Sequence, residues 1–218
     1  MVFGKIDYLN LLPFYVFLKK NLKSSSEKTA LALKKGVPAQ INEMFDKKRI
    51  DCAVISSIKS FGYKCTNLGI VAQDEVLSVL VILGDDKKDS ESKTSNALAS
   101  VLDVKGQVII GDKALKAYLN GADAVDLAKE WKKRHKLPFV FARLCFHLHG
   151  ERIKKLSENF LKTKTKIPYY IIKKYSQKTG IEIKNIEKYL QKISYKIGKK
   201  EELSLKIFKN ECRKKGLL

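Results

Sequence analysis

Arginine is scarce in this chain, although the chain is strongly basic. Its 218 residues carry 44 Lys and Arg against 23 Asp and Glu, giving a net charge of +21, yet only five of the basic residues are arginines. Arginine forks onto phosphates and guanine edges, whereas lysine is a strongly hydrated point charge. Much of the charge follows Glu151, where the pattern predicts solvated helix faces. The composition therefore favours a lysine bias over a nucleic-acid footprint, and we predict no nucleic-acid partner.

Long apolar runs are also absent. No segment approaches the roughly 20 apolar residues that a membrane-spanning helix needs. The apolar stretch near the start follows Asp7, is preceded by no basic residue except Lys5, and ends at Lys19 and Lys20 without a small-residue cleavage site. That pattern is not typical of a signal peptide. We predict a cytoplasmic protein with no membrane partner.

Cysteine and histidine are few and unclustered. His147 and His149 alternate in HLH, but no third ligand stands at a recognisable spacing, so we predict no metal site. No CxxC pair occurs, which favours free, mostly buried thiols in a reducing compartment. The four cysteines are Cys52, Cys65, Cys145 and Cys212.

Several catalytic signatures are missing as well. The chain has no GxGxxG and no GxSxG, and the nearest approach to a phosphate loop, GQVIIGDK (106–113), contains an apolar strand and an intruding Asp112. If the chain is an enzyme, its site is one that binds and orients an anion rather than one that supplies a strong protein base.

The pattern that is present alternates short apolar runs with helical periodicity. We predict strands at 2–6, 29–35, 51–56, 67–73, 76–84, 107–111 and 137–148, and helices at 12–20, 36–50, 94–104, 112–120 and 126–136, followed by amphipathic helices over 151–218. Such alternation predicts an α/β class with parallel sheet.

The low-complexity stretch DDKKDSESK (85–93) leads into a second, smaller unit. We predict two lobes joined by strand-like hinges at 76–84 and 137–148. Lobe one comprises 1–80 and 141–218 with the C-terminal helices, and a trimmed lobe two comprises 81–140. In such arrangements ligands bind in the crevice beyond the strand ends.

Four polar clusters follow predicted strands or begin predicted helices. These positions offer backbone N–H groups and positive helix ends to anions, although ordinary helix capping explains any single one of them. The clusters are Asp7, Tyr8 and Asn10; Ser56 and Ser57; Thr94 and Ser95; Gly111 and Asp112.

An ordered series of short motifs resembles a known family. IDYLN, GVPAQIN, DCAVISSI, VLSVLV, SKTSNAL, IIGDKAL, DLAKEW and LPFVFA occur in this order between residue 4 and about residue 144. Together they resemble the chorismate dehydratases of the futalosine route to menaquinone. The resemblance implies a two-lobed type II periplasmic-binding-protein-like fold. It also implies a lyase that removes water from chorismate to give 3-[(1-carboxyvinyl)oxy]benzoate, without a cofactor, with the substrate's enolpyruvyl carboxylate as a proposed base.

The resemblance also assigns roles to residues of the polar clusters. Asn10 and Ser78 would hold and orient the substrate as the catalytic pair. A carboxylate would be taken by Ser56 and Ser57 on one side and by Thr94 and Ser95 on the other. Gly111 and Asp112 would contribute to substrate binding, and the Asp112 carboxyl group would either accept from a hydroxyl or cap its helix. Tyr8 would line the pocket or pack against it. Asp7 would orient the turn.

Two departures and three alternatives accompany the resemblance. The connection between SKTSNAL and IIGDKAL is short, and the lysine-rich tail after residue 150 matches no family motif. The alternatives are an enzyme like 1,4-dihydroxy-6-naphthoate synthase of the same pathway, a non-catalytic protein that binds a small carboxylate, and, from charge alone, a nucleic-acid-binding protein. The oligomeric state stays open.

Overall fold

The computed structural model describes residues 1–218 and contains nine strands. In chain order they are β1 (Phe3–Ile6), β2 (Lys35–Gly36), β3 (Cys52–Ser56), β4 (Cys65–Ala72), β5 (Val79–Ile82), β6 (Gln107–Ile110), β7 (Ala124–Asp126), β8 (Phe139–Phe146) and β9 (Ile193–Lys196).

Eleven helices and one 3-10 turn connect the strands. The turn is Leu9–Leu11. The helices are α1 (Leu12–Asn21), α2 (Ser25–Leu33), α3 (Pro38–Asp46), α4 (Ser57–Ser60), α5 (Lys93–Leu102), α6 (Gly111–Leu119), α7 (Leu127–His135), α8 (Gly150–Lys162), α9 (Tyr169–Thr179), α10 (Ile183–Lys192) and α11 (Lys199–Lys214).

The strands form two sheets. The large sheet has the order β2-β1-β3-β8-β4-β9 and the small sheet the order β6-β5-β7. The predicted α/β class is confirmed, but the prediction of parallel sheet is correct only for β1, which runs parallel to β2 and β3. All other pairings between these strands are antiparallel. In the large sheet, β8 returns from the small sheet and inserts antiparallel between β3 and β4.

One predicted strand is wrong, and the two predicted hinge strands are present but shorter than predicted. Residues 29–35 lie mainly in α2, because Ala and Leu are strong helix formers. Of the apolar side chains in this stretch, only that of Leu31 is buried. The predicted hinge strand 76–84 pairs only over β5, within the small sheet. The predicted hinge 137–148 is β8, which pairs along its length in the large sheet. The segments that cross between the sheets are therefore the linkers on either side, 73–78 and 136–138. The short strands β7 and β9 are not among the predicted elements.

One hydrophobic core of 52 buried residues spans both sheets. The C-terminal helix α11 contributes to it directly. The ring of Phe208 packs edge to face on Phe139 of β8, with centroids 5.0 Å apart, and on Trp131 of α7, 5.9 Å apart. The indole N–H of Trp131 donates to the Ser204 hydroxyl at 2.9 Å. The C-terminal helix thus fastens the two sheets together. The lobe boundaries near residues 80 and 140 remain a prediction.

The prediction of four free cysteines is wrong for one pair. Cys65 of β4 and Cys145 of β8 form a disulfide between directly opposite positions of neighbouring strands. Cys52 and Cys212 are free and buried, as expected. Because 80 positions separate the bonded cysteines, only the sheet register brings them together.

Membrane spans and metal clusters are both absent from the structure. None of its helices combines the length and the apolar character that crossing a bilayer requires. No three His, Cys, Asp or Glu side chains stand together as metal ligands. His147 instead hydrogen-bonds the Phe45 carbonyl at 2.8 Å and stacks on the Phe45 ring.

The packing of α11 yields a stability prediction. Replacing the fully buried Phe208 by alanine should lower the free energy of unfolding by about 3–5 kcal/mol, because it leaves a cavity where three aromatic rings meet. Urea denaturation measures this. Leu203→Ala on the same helix is the control, since that side chain is half exposed and should cost less than about 1 kcal/mol. Equal costs for the two variants would contradict the bridging role of α11.

Candidate functional site

A small cavity lies between the two sheets, where strand ends and helix starts converge. Its volume is about 60 Å³. Apolar side chains of β1, β4, β5 and β8 form most of its wall, including Ile6, Ile70 and Phe141. The polar lining is Tyr8, Asn10, Ser56, Ser78, Ser92 and Ser95, and the backbone of Gly111 completes it. No charged side chain and no histidine lines the cavity.

The structure brings together six of the nine residues predicted for the site and leaves three outside the cavity. The six are Tyr8, Asn10, Ser56, Ser78, Ser95 and Gly111, and the three are Ser57, Thr94 and Asp112. The roles of these residues toward a substrate remain predictions.

The hydroxyls of Ser57 and Thr94 serve the protein backbone instead of the cavity. The buried Ser57 hydroxyl donates to the Val140 carbonyl at 2.5 Å. The Thr94 hydroxyl accepts from the backbone N–H of Ile58 at 3.2 Å. These bonds tie α4 to β8 and to α5, so neither side chain faces the cavity as the carboxylate ligand that the sequence predicts.

Asn10 presents an unused acceptor. Its side-chain oxygen Oδ1 is buried and has no hydrogen-bond partner. Leaving a buried acceptor unsatisfied costs about 1–3 kcal/mol, and this oxygen is free to accept a hydrogen bond from a ligand. The Asn10 backbone is fixed from the C-terminal region, since the Tyr195 hydroxyl donates to its carbonyl at 2.6 Å.

Ser78 is oriented by a residue that the sequence did not point to. The hydroxyl of the buried Tyr189 donates to Ser78 Oγ at 2.9 Å. Burial raises the pKa of Tyr189, so this phenol stays protonated and remains a donor. With one lone pair of Ser78 engaged, its own O–H hydrogen is left to another acceptor. The Ser78 carbonyl accepts from the Gly111 N–H at 2.8 Å, which joins β5 to the start of α6.

Ser56 and Ser95 are held by neighbouring polar residues. Asn42 of α3 makes two bonds to Ser56: its amide donates to Ser56 Oγ at 3.1 Å, and its oxygen accepts from the Ser56 N–H at 3.2 Å. Ser92 caps α5 by accepting from the Ser95 N–H at 3.1 Å, and the two hydroxyls are 2.8 Å apart. Sequence signals existed for two of these partners, because Asn42 interrupts an apolar helix stripe and Ser92 precedes a helix as a cap does. Tyr189 gave no such signal.

Tyr8 closes one side of the cavity, and its ring packs directly against the backbone of Gly111. Gly111 has a φ of +68°, and a Cβ at this position would lie 2.8 Å from the Tyr8 ring. Only glycine fits both the conformation and the space. The Tyr8 hydroxyl donates to Glu91 of the 85–93 stretch. Burial and the Glu91 carboxylate both raise the pKa of Tyr8, so the phenol is no base at neutral pH.

Hydrogen bonds cross the cleft in three places. Besides the Tyr8–Glu91 bond, the Leu9 N–H donates to Asp112 Oδ1 at 3.1 Å. The Ile58–Thr94 bond is the third. Each joins a loop or helix next to the large sheet to a segment that precedes or follows a strand of the small sheet, so the cleft is bridged in three places.

The pKa values of the two aspartates beside the site are shifted in opposite directions. Burial raises the pKa of Asp112 to about 6. Burial would also raise the pKa of Asp7, but hydrogen bonds from Lys178 and Tyr175 and the charge of Lys5 outweigh it and lower this pKa to about 2. The Asp7 bonds fasten α9 to the end of β1 at 2.7 and 3.0 Å. The turn-orienting role expected for Asp7 stays a prediction.

Comparison with known proteins gives two sequence matches. A family model described as menaquinone biosynthesis matches residues 1–107 and 97–214. A chorismate dehydratase of Campylobacter jejuni is 46% identical over 218 residues, which is 98% of each of the two chains. The resemblance drawn from the short motifs is thereby confirmed, and it extends over the lysine-rich C-terminal region.

Solved structures match the fold. Protein AF1704 of Archaeoglobus fulgidus superimposes with a TM-score of 0.73 at 14% identity, covering 99% of this chain and 97% of that one. The aliphatic sulphonate binding protein SsuA of Escherichia coli gives 0.54 at 13% identity over 100% and 89%. The Candida albicans CA3427 product, which has the generic periplasmic-binding-protein fold, gives 0.52 at 12% identity over 99% and 90%. The expected periplasmic-binding-protein-like fold is confirmed.

Asp112 yields a pH-dependent stability prediction. Its pKa is 3.8 in an unfolded chain and about 6 when folded. The carboxylate therefore destabilises the fold above pH 6 and has no effect below pH 3.8. Asp112→Asn keeps an acceptor for the Leu9 N–H and removes the charge. The stability of the variant relative to wild type should be about 2–3 kcal/mol greater at pH 8 than at pH 4.

Urea unfolding across this pH range measures the effect. Asp123→Asn, at an exposed position of the loop after α6, is the control and should show no such trend. A difference between Asp112→Asn and wild type that stays constant from pH 4 to pH 8 would contradict the burial of an ionised Asp112.

Proposed function

We propose, on the premise that this chain belongs to the menaquinone-biosynthesis family, that it converts chorismate to 3-[(1-carboxyvinyl)oxy]benzoate and water. The observation that carries the proposal is the 46% identity to a chorismate dehydratase along 98% of both chains. The chain would act in the cytoplasm, in the futalosine route to menaquinone, as a carbon–oxygen hydro-lyase without a cofactor.

The reaction needs little from a protein base. A proton leaves the ring carbon that bears the enolpyruvyl ether, hydroxide leaves the neighbouring carbon, and the ring becomes aromatic. The two departing fragments together make one water molecule, and no electron acceptor is required. Aromatisation supplies the driving force, so the protein's task is to hold the substrate in a reactive conformation and to stabilise the departing hydroxyl.

The lining of the cavity supports a mechanism in which the protein orients the substrate and does not supply the base. None of the lining residues is an Asp, Glu, His or Lys, and the raised pKa of Tyr8 keeps that phenol protonated. A cavity without a protein base fits a mechanism in which the substrate's own enolpyruvyl carboxylate takes the ring proton.

Asn10 and Ser78 are the two side chains best suited to orient the substrate. The unpartnered Oδ1 of Asn10 can accept from the substrate hydroxyl. The Ser78 hydroxyl, whose lone pair is engaged by Tyr189, can donate its hydrogen to the oxygen that leaves. Ser56, Ser92 and Ser95, with the first turn of α5, offer donors to a carboxylate.

Closure of the cleft supplies the dry environment that this mechanism needs. Ligand pockets measure about 300–1,000 Å³, whereas this cavity measures about 60 Å³. Chorismate must therefore be admitted by a more open form in which the Tyr8–Glu91 and Leu9–Asp112 bonds are broken. Closure of the cleft on the bound substrate, with a cavity wider than the present one, would exclude water and strengthen the polar contacts of the cavity.

The first test is direct. Purified protein, treated with EDTA and given no cofactor, should convert chorismate to 3-[(1-carboxyvinyl)oxy]benzoate, detected by mass and ultraviolet absorbance. Thermal protection by chorismate without product would instead support a non-catalytic carboxylate-binding protein. Neither product nor protection would contradict the proposal.

Substitutions in the cavity test the site. Asn10→Ala and Ser78→Ala should each lower kcat/KM for chorismate by about 100-fold, because each removes a contact that orients the substrate or stabilises the leaving group. Asn10→Ala should not lower the free energy of unfolding, since it removes an unsatisfied buried acceptor and breaks no hydrogen bond of the side chain. Ser78→Ala should cost about 1–3 kcal/mol, because the buried Tyr189 hydroxyl loses its acceptor.

The matched controls are Asn159→Ala on α8 and Ser100→Ala on α5, both at exposed positions. They should retain wild-type kinetics. Wild-type turnover in both cavity variants would contradict the assignment of Asn10 and Ser78 and leave the reaction itself unaffected.

A further inference from the structure

A second, open depression lies immediately outside the closed cavity, on the other side of Tyr8. We call it the entrance basin; its volume is about 600 Å³. Tyr8 lines both the basin and the cavity, and the two also meet where Val37 of the basin is followed by Pro38 of the cavity. Opening of the Tyr8–Glu91 bond would therefore connect the basin with the cavity.

The basin is basic, and its charges come from three separate elements. Its lysines are Lys35 of β2, Lys113 and Lys116 of α6, and Lys178 of α9. The only acidic residues that line it are Asp7 and Asp112. Residues from such distant parts of the chain share no helix face, so the cluster is produced by the fold and not by one lysine-rich segment.

Two of these lysines are neutralised by ion pairs and two are not. Lys113 contacts Asp89 and Lys178 contacts Asp7, each at 2.7 Å. Asp7 also lies 3.3 Å from Lys5, so its charge is shared between two lysines. No carboxylate lies within ion-pair distance of Lys35 or Lys116, and both side chains are exposed. Even with the unpaired carboxylate of Asp112 counted against these two lysines, the basin keeps a net positive charge at the mouth of the cleft.

A groove extends the positive charge away from the basin. It runs between α1, α2 and α9, shares Asp7, Lys35 and Lys178 with the basin, and has a volume of about 410 Å³. Lys5, Lys19, Lys28 and Lys174 also line this groove, and Asp7 is its only acidic residue. Electrostatic attraction can act along this surface over a distance comparable to the Debye length of about 8–10 Å.

We infer that the entrance basin is a capture site for dianionic substrate, in which Lys35 and Lys116 hold the carboxylates of chorismate before the cleft admits it. This inference rests on the proposed function, because chorismate carries two carboxylates. The cavity itself contains no cation, so the attraction of the anion depends on charges placed outside it. A positive surface at a cleft raises the local concentration of an anionic substrate and the rate of its association.

The experiment compares wild type with Lys35→Gln/Lys116→Gln over a range of KCl concentrations. At low ionic strength the double variant should show a KM for chorismate about fivefold higher than wild type, with kcat unchanged. At high salt the two proteins should converge, because screening removes the advantage of wild type. The control is Lys155→Gln/Lys206→Gln, which removes the same charge from exposed positions of α8 and α11 and should behave as wild type.

A binding measurement separates this inference from the proposed function. Calorimetry with benzene-1,3-dicarboxylate, a dianion, and with benzoate, a monoanion, should show that Lys35→Gln/Lys116→Gln weakens binding of the dianion more. Chorismate turnover with unchanged KM and unchanged dianion binding in this variant would overturn the inference and leave the proposed function intact. An effect of equal size in the control variant would also overturn it. Absence of turnover in wild type, together with lysine-dependent dianion binding, would support the basin and contradict the proposed reaction.

Discussion

The structure depends on the antiparallel pairing of β8 with both β3 and β4. Ser56 lies opposite Ala142 on one side of β8, and Ile70 lies opposite Ala142 on the other. The chain forms the whole small sheet after β4 and before β8. The small sheet is therefore an insertion between two strands that are neighbours in the large sheet. The same pairing places Ser56, Ile70, Phe141 and Ala142 at one wall of the cavity. The cleft is thus a direct result of how the returning strand pairs.

The C-terminal third completes this arrangement from three directions. Tyr189 orients Ser78 and Tyr195 fixes the backbone of Asn10. Tyr175 and Lys178 hold Asp7 at the end of β1. These residues belong to the segment with most of the positive charge, which resembles no short motif. Its lysines are solvated, but its tyrosines form the layer that supports the two side chains proposed to orient the substrate. This segment therefore supports the candidate site from outside the cavity.

The sequence predicted the parts of the site that depend on local chemistry. Polar residues at strand ends and helix starts pointed to Tyr8, Asn10, Ser56, Ser95 and Gly111 as candidates, because several such positions converging on one cleft offer donors to an anion, although helix capping explains any single one of them. Ser78 entered through the family resemblance alone. Local pattern failed where distant pairing decides the outcome. The Cys65–Cys145 disulfide and the small strand β9 are set by sheet register, and the direction of Ser57 is set by its bond to Val140.

Attracting the anionic substrate and orienting it are two separate tasks. A lysine inside the cavity would have to do both, whereas in this structure the lysines lie outside the cavity and neutral groups line it. A cation in a closed, apolar cavity would be costly to desolvate and would bind the ground state and the transition state of an anion alike. Neutral donors such as the Ser78 hydroxyl cost less to bury and, once oriented by Tyr189, would act on one oxygen of the substrate as proposed. Lysines at the entrance remain solvated, so they would attract an anion over a distance and hold it outside the cavity without placing its reacting atoms. Long-range attraction outside and short-range orientation inside are therefore complementary, and the Tyr8 ring marks the boundary between them.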